Sequence, residues 1–417
     1  MKVFKFGGAS VKDANAVKNV ATILNRFPNE NIIVVISAMG KITNALERLT
    51  DAYFFKKGDA TSVLSEIKNY HFDILNQLFE NKNHPIFDEL NNAFVELEWA
   101  IEDEPTHEYN HEYDQIVSMG EIISTKIVSA YLNEVNIKNE WLDVRGIIQT
   151  DNTYREGRVD WQLTQQLSTK LSQSNGVFIT QGFIGGTSEN FTTTLGREGS
   201  DYTAAILAFT CNAESVTIWK DVPGVLNADP KWFDETKKLE QISYQDAIEL
   251  AYYGATVIHP KTIKPLQNKK IPLYVKSFIH PEEKGTVINE LQSPLPIPCF
   301  IFKVNQVLIS ISPKDFSFII EENLSDIFNL FAEKQVKVNV MQNSAISFSI
   351  SVDNDERKLP DLIKILQKQY RVLYNDNLEL ITIRYYDQAT IERVTIDKKV
   401  LLEVKSRNTV QLVVKNA

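Results

Sequence analysis

Lys5, Gly7 and Gly8, in the run Lys5-Phe6-Gly7-Gly8, are the first residues along the chain whose types could do chemistry. Glycines let a backbone come close to a phosphate, and a lysine at a strand end supplies a point charge. Alone, the run reads equally well as a tight strand-to-helix turn behind a surface lysine. Neither G-x-G-x-x-G nor G-x-x-x-x-G-K-[ST] occurs, so the two best-known phosphate loops are excluded. Recurrence raises the weight of the run. Four apolar stretches end in small or glycine-rich loops: GGAS (7–10), SAMG (37–40), GFIGG (182–186) and WKDVPG (219–224). Ligands of open α/β sheets bind outside the carboxyl ends of the strands, so polar loops converging there form a site.

A fifth loop, Gly196-Arg197-Glu198-Gly199-Ser200-Asp201, runs straight into the Ala-rich segment YTAAILAF. Its amides would sit at a helix N-terminus, where an anion is favoured, and Arg197 adds a fork suited to carboxylate or phosphate. By position alone Asp201 reads as well as an N-cap. Glu121 follows Gly120 in SMGE beside an apolar stripe, where the plain reading is a solvated helix glutamate. His107-Glu108-Tyr109-Asn110-His111 matches H-E-x-x-H, a zinc-protease pattern that needs both histidines on a buried helix. Its setting, EDEPTHEYNHEYDQ with Pro105 upstream, is polar, so the match is read as chance in a loop. His259, before a proline, marks a helix start.

These residues need elements to hold them. Met1–Phe6, Asn31–Met39, Gly176–Phe183 and Ser215–Trp219 read as strands, the second apolar on both faces like a central parallel strand. Val17, Val20, Leu24 and Phe27 share one helix face; so do Ile116, Gly120, Ile123, Ile127 and Tyr131. Residues 59–100 read as further helices, and Ser243-x-x-Asp246 is a capping box for a helix stopping at Gly254. Strand, loop and helix in repetition predict a mostly parallel α/β sheet. The prolines at 281, 294, 296 and 298 mark a linker over 281–300. Beyond it the order is βαββαβ over about 301–376, the split βαβ arrangement. Three more strands, at 380–386, 400–405 and 410–415, belong to a second unit of about 377–417 that looks truncated, with no second helix.

The 417 residues carry a net charge of −10, with 43% hydrophobic and 24% charged residues. That excludes a largely disordered chain, and the acidic balance argues against nucleic-acid binding. No apolar run approaches the roughly 20 residues of a membrane span, and MKVFKFGG has no signal-peptide core. Two cysteines, Cys211 and Cys299, imply no disulfide framework, so a cytoplasmic protein is expected.

The ordered motifs resemble those of the aspartate kinases, in the amino-acid kinase superfamily, over essentially the whole chain. KFGGAS resembles the family's KFGGTS, VVISAMGKITN its VVSA…TN segment, and SMGE its helix motif. TTLGREGSD resembles TTLGRGGSD, WKDVPGVLNADP resembles WTDVDGIYTTDP, and ELAYYGATVIHPKTI resembles the ELAxxGAxVLHP block. MQNSAISFSISVD is similar to the signature strand pair of ACT domains. The resemblance implies a three-layer, mostly parallel kinase domain over 1–280, followed by a ferredoxin-like ACT region over 301–417. It implies phosphoryl transfer from Mg-ATP to the β-carboxylate of L-aspartate, with no metal held by protein side chains.

On that resemblance Lys5 and Asp201 are catalytic. Arg197 would grip the substrate α-carboxylate and Glu121 its ammonium, with Ser37, Thr43 and Ser200 beside them. Gly7, Gly8, Ser10, Lys220, Asp221, Leu226, Lys231, Thr256 and Val257 would hold the nucleotide. Departures from the family pattern are Ala9 for threonine, Glu198 for glycine and Pro223 for aspartate. Lys220 stands for threonine, Leu226 for tyrosine, Lys231 for arginine and Thr256 for lysine. Lys220 would supply the phosphate-neutralising charge that position 256 lacks. Asn323 opens the first effector helix where a glycine is usual. A homodimer through the ACT region and an amino-acid effector, lysine or threonine, are expected partners. Two other readings stay open: a silent effector-binding paralogue, and an acyl-phosphate kinase acting on glutamate or acetylglutamate.

Overall fold

A computed structural model describes residues 1–233, 235–255, 258–291, 297–315 and 317–416. The chain begins β1 (Lys2–Phe6), α1 (Ala14–Leu24), β2 (Ile32–Ile36) and then five helices: α2 (Ile42–Phe55), α3 (Ala60–Leu78), α4 (Ile86–Glu102), α5 (Tyr109–Val117) and α6 (Met119–Glu134). It continues through β3 (Asn139–Leu142), α7 (Trp161–Leu167), α8 (Thr169–Gln173), β4 (Val177–Gln181), β5 (Ile184–Gly186) and β6 (Thr192–Thr194). Next come α9 (Gly199–Thr210), β7 (Ser215–Lys220), β8 (Gln241–Ser243), α10 (Tyr244–Tyr253), α11 (Pro260–Lys269), β9 (Leu273–Ser277) and β10 (Thr286–Asn289). The last part is β11 (Cys299–Pro313), α12 (Glu321–Glu333), β12 (Val338–Asn343), β13 (Phe348–Asp353), α13 (Leu359–Gln369), β14 (Tyr370–Arg384), α14 (Gln388–Val394), β15 (Lys398–Lys405) and β16 (Thr409–Asn416). Two compact units result: Met1–Val225 with Glu240–Ile248 and Val257–Gln292, and Leu226–Leu239 with Glu249–Thr256 and Ser293–Ala417. Among the described residues no helix is long and apolar enough to cross a membrane.

The first unit is built on an eight-stranded sheet in the order β3-β4-β2-β1-β7-β9-β10-β8. All its pairings are parallel except β9 with β10. Every residue of β2, IIVVI, is buried, as its two-sided apolar pattern predicts. Register aligns the strand ends: Phe6 lies opposite Ile36 and Trp219, and Ile36 opposite Gln181. The four glycine-rich loops therefore leave one edge of the sheet side by side. The SAMG and GGAS loops touch directly, since Gly40 N–H donates to the Gly8 carbonyl (3.0 Å). A Cβ at Gly8 would stand 2.7 Å from the Gly40 carbonyl oxygen and 2.8 Å from that of Ala38, so only glycine fits. Strands β3, β8, β9 and β10 carry no distinct sequence signal, being three to five residues long.

Several helix assignments hold in detail. Asp13 caps α1 by accepting from the Ala16 amide (2.8 Å). The Ser243 hydroxyl caps α10 by accepting from the Asp246 amide (3.0 Å) and donates to the Asp246 carboxylate (2.7 Å), and His259 Nδ1 caps α11 by accepting from Lys261 N–H. The stripe from Ile116 to Tyr131 is divided between α5 and α6, with the Ser118 hydroxyl turned back to the Gln115 carbonyl. Segment 107–111 is a polar loop only at His107 and Glu108, which are exposed and precede the helix. Helix α5 starts at Tyr109, and His111 and Glu112 are buried, with Tyr154 and Phe191 against the His111 ring.

The second unit carries a six-stranded antiparallel sheet, β12-β13-β11-β14-β16-β15. Helices α12 and α13 cover one half of it with Ile327, Phe331, Leu362 and Leu366 on Ile309, Ile311 and Ile350. Helix α14 covers the other half with Ile391 and Val394 on Phe300, Ile381 and Ile383. The missing second helix is thus present; only seven residues long, it offers too few apolar positions to show a period. The second half does not begin at 377 either. Its strand Cys299–Lys303 precedes the first half in sequence and pairs with Leu380–Arg384, while Val307–Ile311 of the same β11 pairs with β13. Left-handed Asn305 and Asn377 mark the irregularities where β11 and β14 pass from one half to the other. Asn323 does not open α12; it sits in the first turn and accepts from the Ile320 amide (3.1 Å).

Candidate active site

Beyond the aligned strand ends lies a cavity of about 850 Å³, whose lining includes Lys5, Ser37, Thr43, Glu121, Arg197, Ser200, Asp201 and Lys220. Its floor is charged and almost closed to water. Lys5 reaches from β1 to Asp201 in the first turn of α9, with Nζ 2.7 Å from Oδ1, and the two residues are 9% and 3% exposed. Lys220, at the end of β7, brings a second ammonium to 3.8 Å from Asp201 Oδ2. Burial alone would raise the Asp201 carboxyl, but Lys5 and Lys220 outweigh it and hold the group below the usual carboxylate range. The N-cap reading of Asp201 is displaced: Glu198 occupies the N-cap, and Asp201 lies three residues further in.

Glu121 is not a solvated helix residue. It projects from the first turn of α6, is 2% exposed, and accepts from the Ala38 amide through Oε1 (3.1 Å). Its Oε2 is buried with no hydrogen-bond partner among the described residues. Burial pushes its carboxyl up to about 8, against the pull of the Ala38 amide and Lys5. Gly120 is needed here because a Cβ would stand 2.9 Å from Leu46 Cδ1, so α6 packs close enough for Glu121 to reach the cavity. An acidic oxygen with no partner, facing a cavity that also holds Lys5, is suited to a ligand ammonium group.

The rim is different. Arg197 is exposed, and Glu198 holds a left-handed backbone (φ 55°), the conformation glycine adopts without steric cost. Arg155, Tyr113, Glu47, Asn110 and Glu156 also line the cavity and carry no recognisable sequence signal. Arg155 is fixed by its amide, which donates to Asp114 Oδ2 (2.8 Å), while its guanidinium lies 4.2 Å over the Tyr113 ring. Asp114 also accepts from the Thr194 amide and hydroxyl, tying α5 to β6. Such an arrangement, cations and amides around a space sized for a small charged molecule, can neutralise and orient anions.

The residues assigned to a nucleotide are less united. Lys220 lines the cavity; Gly7, Gly8, Ser10 and Asp221 are not in its lining. Gly7 lies next to Lys5 Nζ, at 3.3 Å from where a Cβ would be. Ser10 is buried, its hydroxyl 3.4 Å from the Trp219 carbonyl, and Asp221 is exposed. Leu226 and Lys231 belong to the second unit, Leu226 bridged to Lys238 and Lys231 exposed with its amide on Asp229. Thr256 and Val257 fall outside the described residues.

Residues 1–277 match the amino acid kinase family. The chain is 31% identical over 392 residues to the lysine-sensitive aspartokinase 3 of Escherichia coli K12, covering 91% of this chain and 86% of that protein. It is 31% identical to the chloroplastic aspartokinase 1 of Arabidopsis thaliana, covering 87% of this chain but 65% of the plant protein's length. The crystal structure of E. coli aspartokinase III in complex with aspartate and ADP (R-state) superposes with a TM-score of 0.83 at 28% identity, covering 100% of this chain and 96% of that one.

Proposed function

From its membership of the aspartokinases, within the amino acid kinase family, we propose that this chain transfers the γ-phosphoryl group of Mg-ATP to the β-carboxylate of L-aspartate, giving 4-phospho-L-aspartate and ADP. The observation that carries the reading is the buried floor of the cavity: Lys5 paired to Asp201, with the unpartnered Glu121 oxygen beside them. An attacking carboxylate is ionised at pH 7, with a reference pKa of about 3.9, so the reaction needs no general base. Its β-carboxylate oxygen bonds to the γ-phosphorus as the bond to the β-phosphate bridging oxygen breaks. The obstacle is the meeting of two anions, and catalysis is positioning and neutralisation.

Glu121 Oε2 takes the α-ammonium and Arg197 the α-carboxylate, with Ser37, Thr43 and Ser200 beside them; a substrate lacking either charge leaves one of these groups unmatched. Lys5, held by Asp201, meets the transferring phosphoryl oxygens, and Lys220 adds a second positive charge on the nucleotide side. Gly7, Gly8, Ser10 and Asp221 line the approach of the nucleotide. Mg²⁺ enters on the phosphates, as a small hard cation that prefers phosphate oxygen and water. Residues 1–280 form the catalytic domain and 301–417 a regulatory region that binds an amino-acid effector and joins two copies of the chain. The E. coli relative is lysine-sensitive, so lysine is the first effector to try.

Hydroxylamine trapping of acyl phosphate from Mg-ATP and L-aspartate tests the reading, with Lys5→Ala and the bulkier Lys5→Met as controls. Aspartyl hydroxamate from the wild type, with a loss of at least about 100-fold in both folded variants, is expected. No product from folded wild-type protein would overturn it.

A further inference from the structure

Apart from the catalytic cavity, the first unit contains a second group of side chains built like a ligand set. We propose that His107, His111 and Glu112 form a binding site for a divalent transition-metal ion of the zinc type. Among the described residues they are the only three His, Cys, Asp or Glu side chains grouped closely enough to hold one ion, with one ligand atom from each within 4.8 Å of the others. The distances that matter are shorter. Glu112 Oε1 lies 3.4 Å from His107 Nδ1 and 3.7 Å from His111 Nδ1. Two ligands bound to tetrahedral zinc at about 2.1 Å stand about 3.4 Å apart, so one edge already has the required length and a second is close to it.

His111 carries the argument. It is 6% exposed, and neither of its ring nitrogens has a hydrogen-bond partner among the described residues. A buried polar group left unpaired costs about 1–3 kcal/mol, and a metal at Nδ1 would remove that cost for one nitrogen. The ring is held by Tyr154 and Phe191, which pack against it edge to face with centroids at 4.9 Å, while His107 stacks on it at 4.0 Å and would have to tilt for both imidazoles to point at one ion. Packing of this kind fixes a ligand's orientation and limits water. The His107 side chain is half exposed, which leaves an entry path and a fourth position for water.

Two imidazoles with one carboxylate select zinc, cobalt, nickel or copper, and disfavour Mg²⁺, which keeps oxygen ligands. The hydrogen bonds that compete are weak ones to displace. The Thr106 hydroxyl, 2.9 Å from His107 Nδ1, would turn away, and Glu112 Oε1 would keep or lose its bond from the His107 amide (3.1 Å). The set differs from the H-E-x-x-H reading, since its acid is Glu112 and not Glu108, and His107 precedes the helix. A bound ion would also pin the start of α5, the helix that brings Asn110 and Tyr113 to the catalytic cavity.

The test uses the full chain, freed of metal by chelator and dialysis. Calorimetric titration with Zn²⁺ should show one ion per chain with a Kd below about 10 μM, and Co²⁺ should give the visible absorption of a four-coordinate site. His107→Ala changes a half-exposed side chain, so the metal-free variant should melt like the wild type yet bind Zn²⁺ at least tenfold more weakly. Glu112→Gln, equal in size, should weaken binding in the same direction, and it decides the matter if His107→Ala melts lower. Absence of one-to-one binding by the wild type would overturn the proposal. So would a folded Glu112→Gln that binds Zn²⁺ like the wild type, or displacement of Zn²⁺ by millimolar Mg²⁺.

Discussion

The floor and the rim of the candidate active-site cavity are built on opposite principles. On the floor Lys5, Glu121 and Asp201 are at most 9% exposed and are held by β1, α6 and α9. On the rim Arg197 and Asp221 face solvent, and Glu198 occupies a backbone conformation that favours glycine. Buried charges on rigid elements cost desolvation in every molecule, with or without ligand, and such placement is retained where a reaction needs a fixed field. Exposed charges are screened and cheap, so the rim can change with little penalty. Most family departures follow that division: Ala9, Glu198 and Pro223 lie in the loops, whereas Lys5, Glu121 and Asp201 match the pattern; Lys220, the last residue of β7 and beside Asp201, is the exception.

The largest effect that would sharpen this contrast is expected from the floor. Glu121→Gln removes the charge proposed to meet the ammonium while keeping its shape, and should raise the KM for aspartate about 100-fold with little change in the KM for ATP. An equal loss for both substrates would place Glu121 outside the aspartate half of the site.

A pH titration follows from the same residue. With its carboxyl at about 8 in the free protein, Glu121 is largely protonated at pH 7, whereas the ammonium-bound form needs the carboxylate. Aspartate binding should therefore release a proton at pH 7. The apparent Kd should weaken about tenfold per unit as pH falls below 8, because only the ionised fraction is competent. Calorimetry in buffers of different ionisation heat counts the proton, and Glu121→Gln should release none.

Lys220→Ala tests the nucleotide side. The residue lies 3.8 Å from Asp201 and is half-buried, so its loss should raise the KM for ATP about tenfold and leave that for aspartate within about twofold. An unchanged KM for ATP would remove Lys220 from the phosphate site.

Glu198→Gly gives the smallest effect. A left-handed non-glycine residue costs about 1–2 kcal/mol and a glycine's extra chain entropy about 0.5–1, so a gain of about 0–1.5 kcal/mol remains. Melting should rise by about 2 °C, and the KM for aspartate should move less than about threefold. A lower melting temperature would mean that the Glu198 side chain contributes more than its backbone costs.

Much of this molecule is legible in its sequence. The β-branched run at 32–36, the glycines that end it, and the repetition of strand, loop and helix are local patterns, and local sterics decide them. They are enough to predict the parallel sheet and the edge where its loops meet. Aligned motifs in chain order then identify the residues that match a known family, as they did for Lys5, Glu121, Arg197 and Asp201.

What only the tertiary structure decided is which groups meet and which lose their water. Nothing around position 121 distinguishes a solvated glutamate from a buried one; the close approach of α6 across Gly120 does. Asp201 could have been an N-cap until Lys5, almost two hundred residues earlier, was seen to hold it. Arg155 enters the cavity through a left-handed turn that no motif announces. In the second unit a strand at 299–303 completes a half-sheet whose other strands follow residue 377. Partners in sequence are set by covalent order, whereas partners in space are set by the burial of whole faces, and burial is a property of the folded chain alone.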